Sequence, residues 1–133
     1  MIEEIETWTA EDENNLILNQ IDRAILSLLQ DRVILEILAA ELLQLAPVDA
    51  TPHWRKKNGK RRYLYLLHPT TEGVRRRQYI GNKPDRTQAA LRRVQAHADL
   101  TETDRQISDI NARLAATRSL LQRALWLATS SNP

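Results

Sequence analysis

The sequence predicts a mainly α-helical fold with a small β insertion. Two long helices would form an antiparallel, coiled-coil-like hairpin, with a basic β-meander of two or three strands at its tip. Three observations predict this. Leu-, Ile- and Ala-rich stretches on both sides of the middle carry apolar residues at alternating three- and four-residue steps. Residues 53–81, HWRKKNGKRRYLYLLHPTTEGVRRRQYIG, instead alternate with a period of two and contain two turn signals. Charge is segregated along the chain. Residues 1–52 hold eleven acids and two bases (net −9), residues 53–93 thirteen bases and two acids (net +11), and residues 94–133 four of each.

At 133 residues the chain has the length of a single domain. It contains no Cys, which excludes a disulfide framework and a thiolate ligand or nucleophile and fits a cytoplasmic location. No apolar run is long enough for a membrane span, and the opening MIEEIETWTAEDENN is too acidic and polar for a secretory signal.

Ile2, Ile5 and Trp8 recur every third residue and fit a short amphipathic turn or a frayed arm. The first helix is expected over residues 9–45. Thr9 can cap it by accepting the N–H three residues on, and Glu11, Asp12 and Glu13 place negative charge at the positive end of the dipole. Pro47 ends it. Its seam reads Leu18, Ile21, Ile25, Leu28, Arg32, Leu35, Ala39 and Leu42, with Arg32 the one polar break. Leu16, Ile17, Leu26, Leu29, Val33, Ile34, Ile37, Leu38 and Leu43 lie off that seam. A helix this apolar around its circumference needs more than one neighbour, so self-association into a homodimer or larger assembly is expected.

Residues 46–52 form a Pro-bearing linker to the meander. Asn58-Gly59, between Trp54–Lys57 and Lys60–Leu67, predicts a type I′ hairpin. Pro69 to Gly73 makes a second, longer turn into a strand over residues 74–80. Tyr63, Tyr65 and Leu67 alternate with Arg62, Leu64 and Leu66, so one face can pack on helix ends while the other displays Arg and Tyr. The aromatics Trp54, Tyr63, Tyr65 and Tyr79 admit two readings. They can stack on unpaired bases, or they can be the small core of the meander. The core reading is preferred, because a three-stranded sheet has few other residues from which to build one. The second helix is expected over residues 85–128, opened by an Asp85–Gln88 capping box. Its seam is Leu100, Thr103, Ile107, Ile110, Leu114, Thr117, Leu121, Ala124 and Ala128, which Leu91 and Val94 extend towards its start.

The basic residues are the candidate site. Arg55, Lys56, Lys57, Lys60, Arg61, Arg62, Arg75, Arg76 and Arg77 lie in the meander, and Lys83, Arg86, Arg92 and Arg93 widen the surface at the start of the second helix. Thirteen bases against two acids exceed what solubility requires and suit phosphate contacts. The expected partner is DNA, with RNA left open. The competing reading is a coiled-coil adaptor whose basic tip docks on an acidic protein surface, such as the acidic first helix of a neighbouring copy.

Other chemistry finds little support. His53, His68 and His97 are scattered, and none has a second ligand at metal spacing. Ser27, Ser108 and Ser119 fall at helical positions and not at a strained elbow. Gly occurs only at 59, 73 and 81, which leaves no phosphate-cradling loop. No catalytic residue, metal or cofactor is expected.

The run RRYLYLLHPTTEGVRRRQYIGNKPDRTQAALRRVQAHADL resembles small bacterial proteins of unknown function associated with plasmids and transposons. In them an aromatic strand, a turn, a basic strand ending Tyr-Ile-Gly and a long helix with Leu-Arg-Arg follow in this order. The matching residues are Tyr63, Tyr65, Arg75, Arg76, Arg77, Tyr79, Ile80 and Gly81. The same stretch is more distantly similar to the arm-type DNA-binding module of tyrosine recombinases, three strands followed by a helix. It departs from that module in its long preceding helix and in lacking a recombinase catalytic domain. Both resemblances imply DNA binding on mobile elements, and neither supplies a catalytic residue.

Overall fold

A computed structural model describes residues 7–57, 59 and 61–130, with Lys57 described by its main chain alone. Ile2, Ile5, Asn58, Lys60 and the Lys57 side chain lie outside the described residues. The elements run α1 (Ala10–Gln44), β1 (Thr51–Lys57), β2 (Arg61–Leu67), β3 (Arg77–Gly81) and α2 (Pro84–Thr129). The chain is thus mainly helical, with a three-stranded antiparallel sheet between two helices in the sequence.

Thr9 caps α1 as its hydroxyl predicts. The Asp12 N–H donates to Thr9 Oγ1 at 3.1 Å, and Asp12 Oδ2 accepts from the Thr9 N–H at 2.9 Å and its hydroxyl at 2.8 Å. This reciprocal pair satisfies two groups that the first helical turn would otherwise leave to water. The Thr9 backbone hydrogen bond, then the hydroxyl, hold the Asp12 carboxyl below its ordinary value. A carboxylate with a depressed folded value stabilises above its unfolded pKa, and that contribution fades as pH falls through the folded value. Thr9→Ala should therefore lower stability at neutral pH, with a smaller difference from wild type in strong acid, as read by urea melts across pH.

At the other end of α1, Ala46 adopts φ +52°, the left-handed conformation that closes many helices. Arg93 Nε donates to the Ala46 carbonyl at 2.8 Å, and the Val48 N–H donates to the Arg93 carbonyl at 3.0 Å. A guanidinium thus sits at the negative end of the α1 dipole and ties the linker to α2.

The described residues group into two compact units, one comprising those up to Ile34 with those from Asp109 onward, the other Leu35–Ser108. In the first unit, Ile21, Ile25, Leu28, Leu29 and Arg32 of α1 are half-buried, as are Leu114, Thr117 and Leu121 of α2, while Ile110 is buried. Arg32 Nη1 donates to Asn111 Oδ1 at 2.9 Å. A cavity of about 390 Å³ remains between the two segments, lined by Ile25, Leu29, Leu114 and Leu121 among others. Of the expected seam positions, Leu18, Ala124 and Ala128 stay exposed.

In the second unit the same spacing continues to mark the sheltered positions. Leu35 and Ala39 are half-buried and Leu42 buried on α1, and on α2 Leu91, Val94, Leu100 and Ile107 are half-buried with Thr103 buried. The Thr103 hydroxyl donates to the Asp99 carbonyl at 2.7 Å, so its burial leaves no orphaned polar group.

The start of α2 differs from expectation. The helix opens at Pro84, and Asp85 lies inside the first turn instead of capping it with Gln88. Proline's fixed φ suits the first helical position, where an N–H would be surplus. Thr87 then closes the turn, its N–H donating to the Lys83 carbonyl at 3.0 Å and its hydroxyl to the Pro84 carbonyl at 3.1 Å.

Candidate nucleic-acid interface

The sheet has strand order β1-β2-β3, with both pairs antiparallel. Lys57 pairs with Arg61, so three residues connect β1 to β2, one more than a two-residue Asn-Gly turn would leave. Gly59 within that connection has φ +82°. The third strand begins at Arg77, later than the expected residue 74. Glu72 (φ +53°) and Gly73 (φ +77°) close a tight turn in which Thr71 and Val74 exchange hydrogen bonds of 2.8 and 3.0 Å. Positive φ at both central residues is the type I′ arrangement, and it moves the hairpin signature to Glu72-Gly73. His68 and Arg76 continue the pairing from there, with the His68 N–H donating to the Arg76 carbonyl at 2.9 Å.

Residues paired across an antiparallel ladder point to the same face. Leu64 pairs with Trp54 and Leu66 with Gln78 on one face. Tyr63 pairs with Arg55, Tyr65 with His53 and Tyr79, and Leu67 with Arg77 on the other. The ladder shifts register between Leu64 and Tyr65, where Ile80 is the extra residue of a bulge on β3. Alternation from Gln78 puts Ile80 on the leucine face, and the bulge brings Gly81 in place of Ile80 opposite Leu64 while Tyr79 stays opposite Tyr65.

The leucine face is the inner one. Leu64 is fully buried, and with Leu66 and Ala90 of α2 it forms a core flanked by Ala50, Ile80, Leu91 and Val94. The aromatics are therefore not the core of the meander. Trp54 is 43% exposed and Tyr79 58% exposed, and Tyr63 and Tyr65 are half-buried on the open face. Helix α2 offers only Ala, Leu and Val to the sheet, and aliphatic side chains fill that shallow contact without burying a phenol hydroxyl that needs a partner.

The open face is an aromatic cluster fringed by cations. Tyr79 meets Tyr65 edge-on, with centroids 5.3 Å apart, and lies 6.1 Å from Tyr63 at an interplanar angle of 32°. The Arg55 guanidinium lies 5.9 Å from the Tyr65 ring centroid, within cation–π range. A recess of about 170 Å³ is lined by Arg55, Lys56, Tyr63 and Tyr65. Alternation along β2 places Arg61 on this face, and pairing with Leu67 places Arg77 there.

The other candidate bases are distributed differently. Lys56 and Arg62 pair with each other on the leucine-face side, at the end of the sheet beyond Trp54. Arg75 and Arg76 belong to the β2–β3 connection, where Arg75 Nε donates to the His68 carbonyl at 3.2 Å. Lys83, Arg86 and Arg92 are exposed at or near the start of α2. None of these three lies on a strand, so the register of the sheet does not put them on the tyrosine face. Arg93 holds the linker, as described above. Sequence reasoning placed Tyr63, Tyr65 and Tyr79 inside. The signal that could have placed them outside was the Leu64/Leu66 alternation, which supplies a complete aliphatic face without them.

Among the described residues, no group of three His, Asp or Glu could hold a metal ion, and no helix is long and apolar enough to cross a membrane. Comparison with protein-family models, curated proteins and solved structures finds no match to the chain.

Proposed function

We propose that the chain is a DNA-binding accessory protein of a plasmid or other mobile element, acting as a homo-oligomer. The observation that carries this reading is the open face of the sheet, where Arg55, Arg61 and Arg77 surround Tyr63, Tyr65 and Tyr79. Guanidinium groups on a sheet surface engage phosphates, while aromatic rings fix position by packing against sugar or base. An RNA partner would meet the same groups. The reading includes a helical hairpin of coiled-coil character, supported by the seam spacing and by the Arg32–Asn111 contact across 79 residues of sequence.

If six to eight bases engage phosphates, log K should fall with log salt at a slope of roughly −5 to −7. Replacing Arg55, Arg61 and Arg77 by Ala should flatten that slope by about 3 and weaken binding about tenfold or more near 0.1 M salt. The check is fluorescence anisotropy with labelled oligonucleotides across a salt series. A flat salt response in the wild type would overturn the proposal. An oligomer whose size depends steeply on salt, with no affinity for any oligonucleotide, would instead favour the adaptor that docks on an acidic surface.

A further inference from the structure

Resting on the nucleic-acid reading above, we infer that the tyrosine face takes unpaired bases, so that the ligand is single-stranded nucleic acid. A duplex has its base faces stacked on one another and offers a protein only base edges and backbone. An unpaired strand offers both faces of each base, and a base gains most from a ring whose own face is open. The sheet supplies such rings. Tyr79 lies on the edge strand β3 and is 58% exposed. Its ring spreads over Gly81, whose missing Cβ would stand 3.6 Å from the Tyr79 hydroxyl oxygen. The hydroxyl end of the ring thus lies close to the Gly81 backbone, and more than half of the residue stays open to solvent.

Tyr63 and Tyr79 differ in orientation by 32°, so their faces point in nearly the same direction, with the edge-on Tyr65 against Tyr79. Three phenols held this way would be a costly exposed surface if the only task were to meet phosphates, for which the arginines suffice. The phosphates of the bound strand would run along the cations at the fringe, Arg55 at one side and Arg77 at the other, with the recess by Tyr63 and Tyr65 receiving a neighbouring base. Duplex binding by the remaining bases is a separate, weaker mode that depends less on the tyrosines.

The test compares a labelled single-stranded DNA of mixed sequence, its RNA counterpart and the matching duplex by anisotropy on the full chain at moderate salt. The single strands should bind about tenfold tighter than the duplex, and the tighter of DNA and RNA identifies the source of the strand. Tyr79→Leu keeps an apolar side chain on the strand but removes the π face. It should weaken single-strand binding about 5- to 100-fold and duplex binding by a clearly smaller factor, while Tyr79→Phe should retain wild-type affinity. Thermal melts of both variants establish that the sheet persists. A duplex bound as tightly as the single strand, or a folded Tyr79→Leu with single-strand affinity within about twofold of wild type, overturns this inference and leaves the wider DNA-binding reading standing. Loss of both readings would show as no binding of any oligonucleotide.

Discussion

Leu64→Ala is expected to destabilise the sheet-bearing unit by about 2–5 kcal/mol, the range for truncating a leucine in a core that cannot collapse around the gap. Among the described residues Leu64 is the one large side chain with no exposure at all, and its buried partners there are Leu66 and Ala90. The half-buried Ala50 of the linker, Ile80 of β3 and Leu91 and Val94 of α2 complete the cluster. A three-stranded sheet has marginal stability unless it packs on something, so losing this contact should release the sheet from α2. Urea melts followed by near-ultraviolet circular dichroism would record the loss, with oligonucleotide affinity falling in parallel. Val74, 64% exposed and outside the strands, is the control, and its replacement by Ala should change stability by no more than about 0.5 kcal/mol. A Leu64→Ala effect that small would mean that the tyrosines carry the core after all.

This contrast shows how far the sequence goes. A three- and four-residue spacing marks most of the sheltered side of α1, namely Ile21, Ile25, Leu28, Arg32, Leu35, Ala39 and Leu42, while Leu18 on the same seam is exposed and Leu29 off it is half-buried. A period of two says only which residues share a face. In β2 both sets are apolar, Tyr63 and Tyr65 against Leu64 and Leu66, so the choice of inner face depends on what packs there. That is a tertiary fact, set by Ala90, Leu91 and Val94 of α2. Turn chemistry was legible in kind but not in place. Gly73 supplied the positive φ, while Glu72 at φ +53° is a residue that rarely takes it, and so the late start of β3 was hidden. The bases were legible as a charge excess, but nothing in their spacing separates those around the tyrosines from Arg93, whose guanidinium closes α1. Carbonyl partners supplied by a linker leave no mark on the sequence of the helix that donates to them.

The largest expected change in assembly comes from Val33→Glu combined with Ile34→Glu, which should convert an oligomer into a monomer of 15.3 kDa. The unit containing residues up to Ile34 leaves at least eleven large apolar side chains exposed, among them Trp8, Leu26, Val33, Ile34, Leu125 and Trp126. Eleven side chains about half exposed present in total on the order of 1,000 Å² of apolar surface over the two segments, to be set against the ~800 Å² that each partner contributes to a standard interface. The open cavity between its two helix segments shows the same deficit from inside, since two segments alone do not fill their shared space. A second copy is the occupant that the charges favour. In this unit α1 carries Glu11, Asp12, Glu13, Asp22 and Asp31 against Arg23 and Arg32, while α2 from residue 109 on carries Arg113, Arg118 and Arg123 against Asp109, so the two segments keep opposite net signs. An α1 of one copy beside an α2 of the next would pair opposite signs around an apolar centre. Val33 and Ile34 line a groove with Leu29 and Gln30, and both are exposed, 53% and 64%. Glutamates there should leave the helices formed and place unpaired charge in the interface, raising the dissociation constant by about 100-fold or more. Sedimentation equilibrium of the wild type and the variant measures this, with far-ultraviolet circular dichroism as the check on folding. The variant should also bind single strands more weakly, because two linked sheets hold one strand with an avidity that one sheet lacks. A wild type that sediments as a monomer at micromolar concentration would remove the second copy from the account and leave that apolar surface to a different partner.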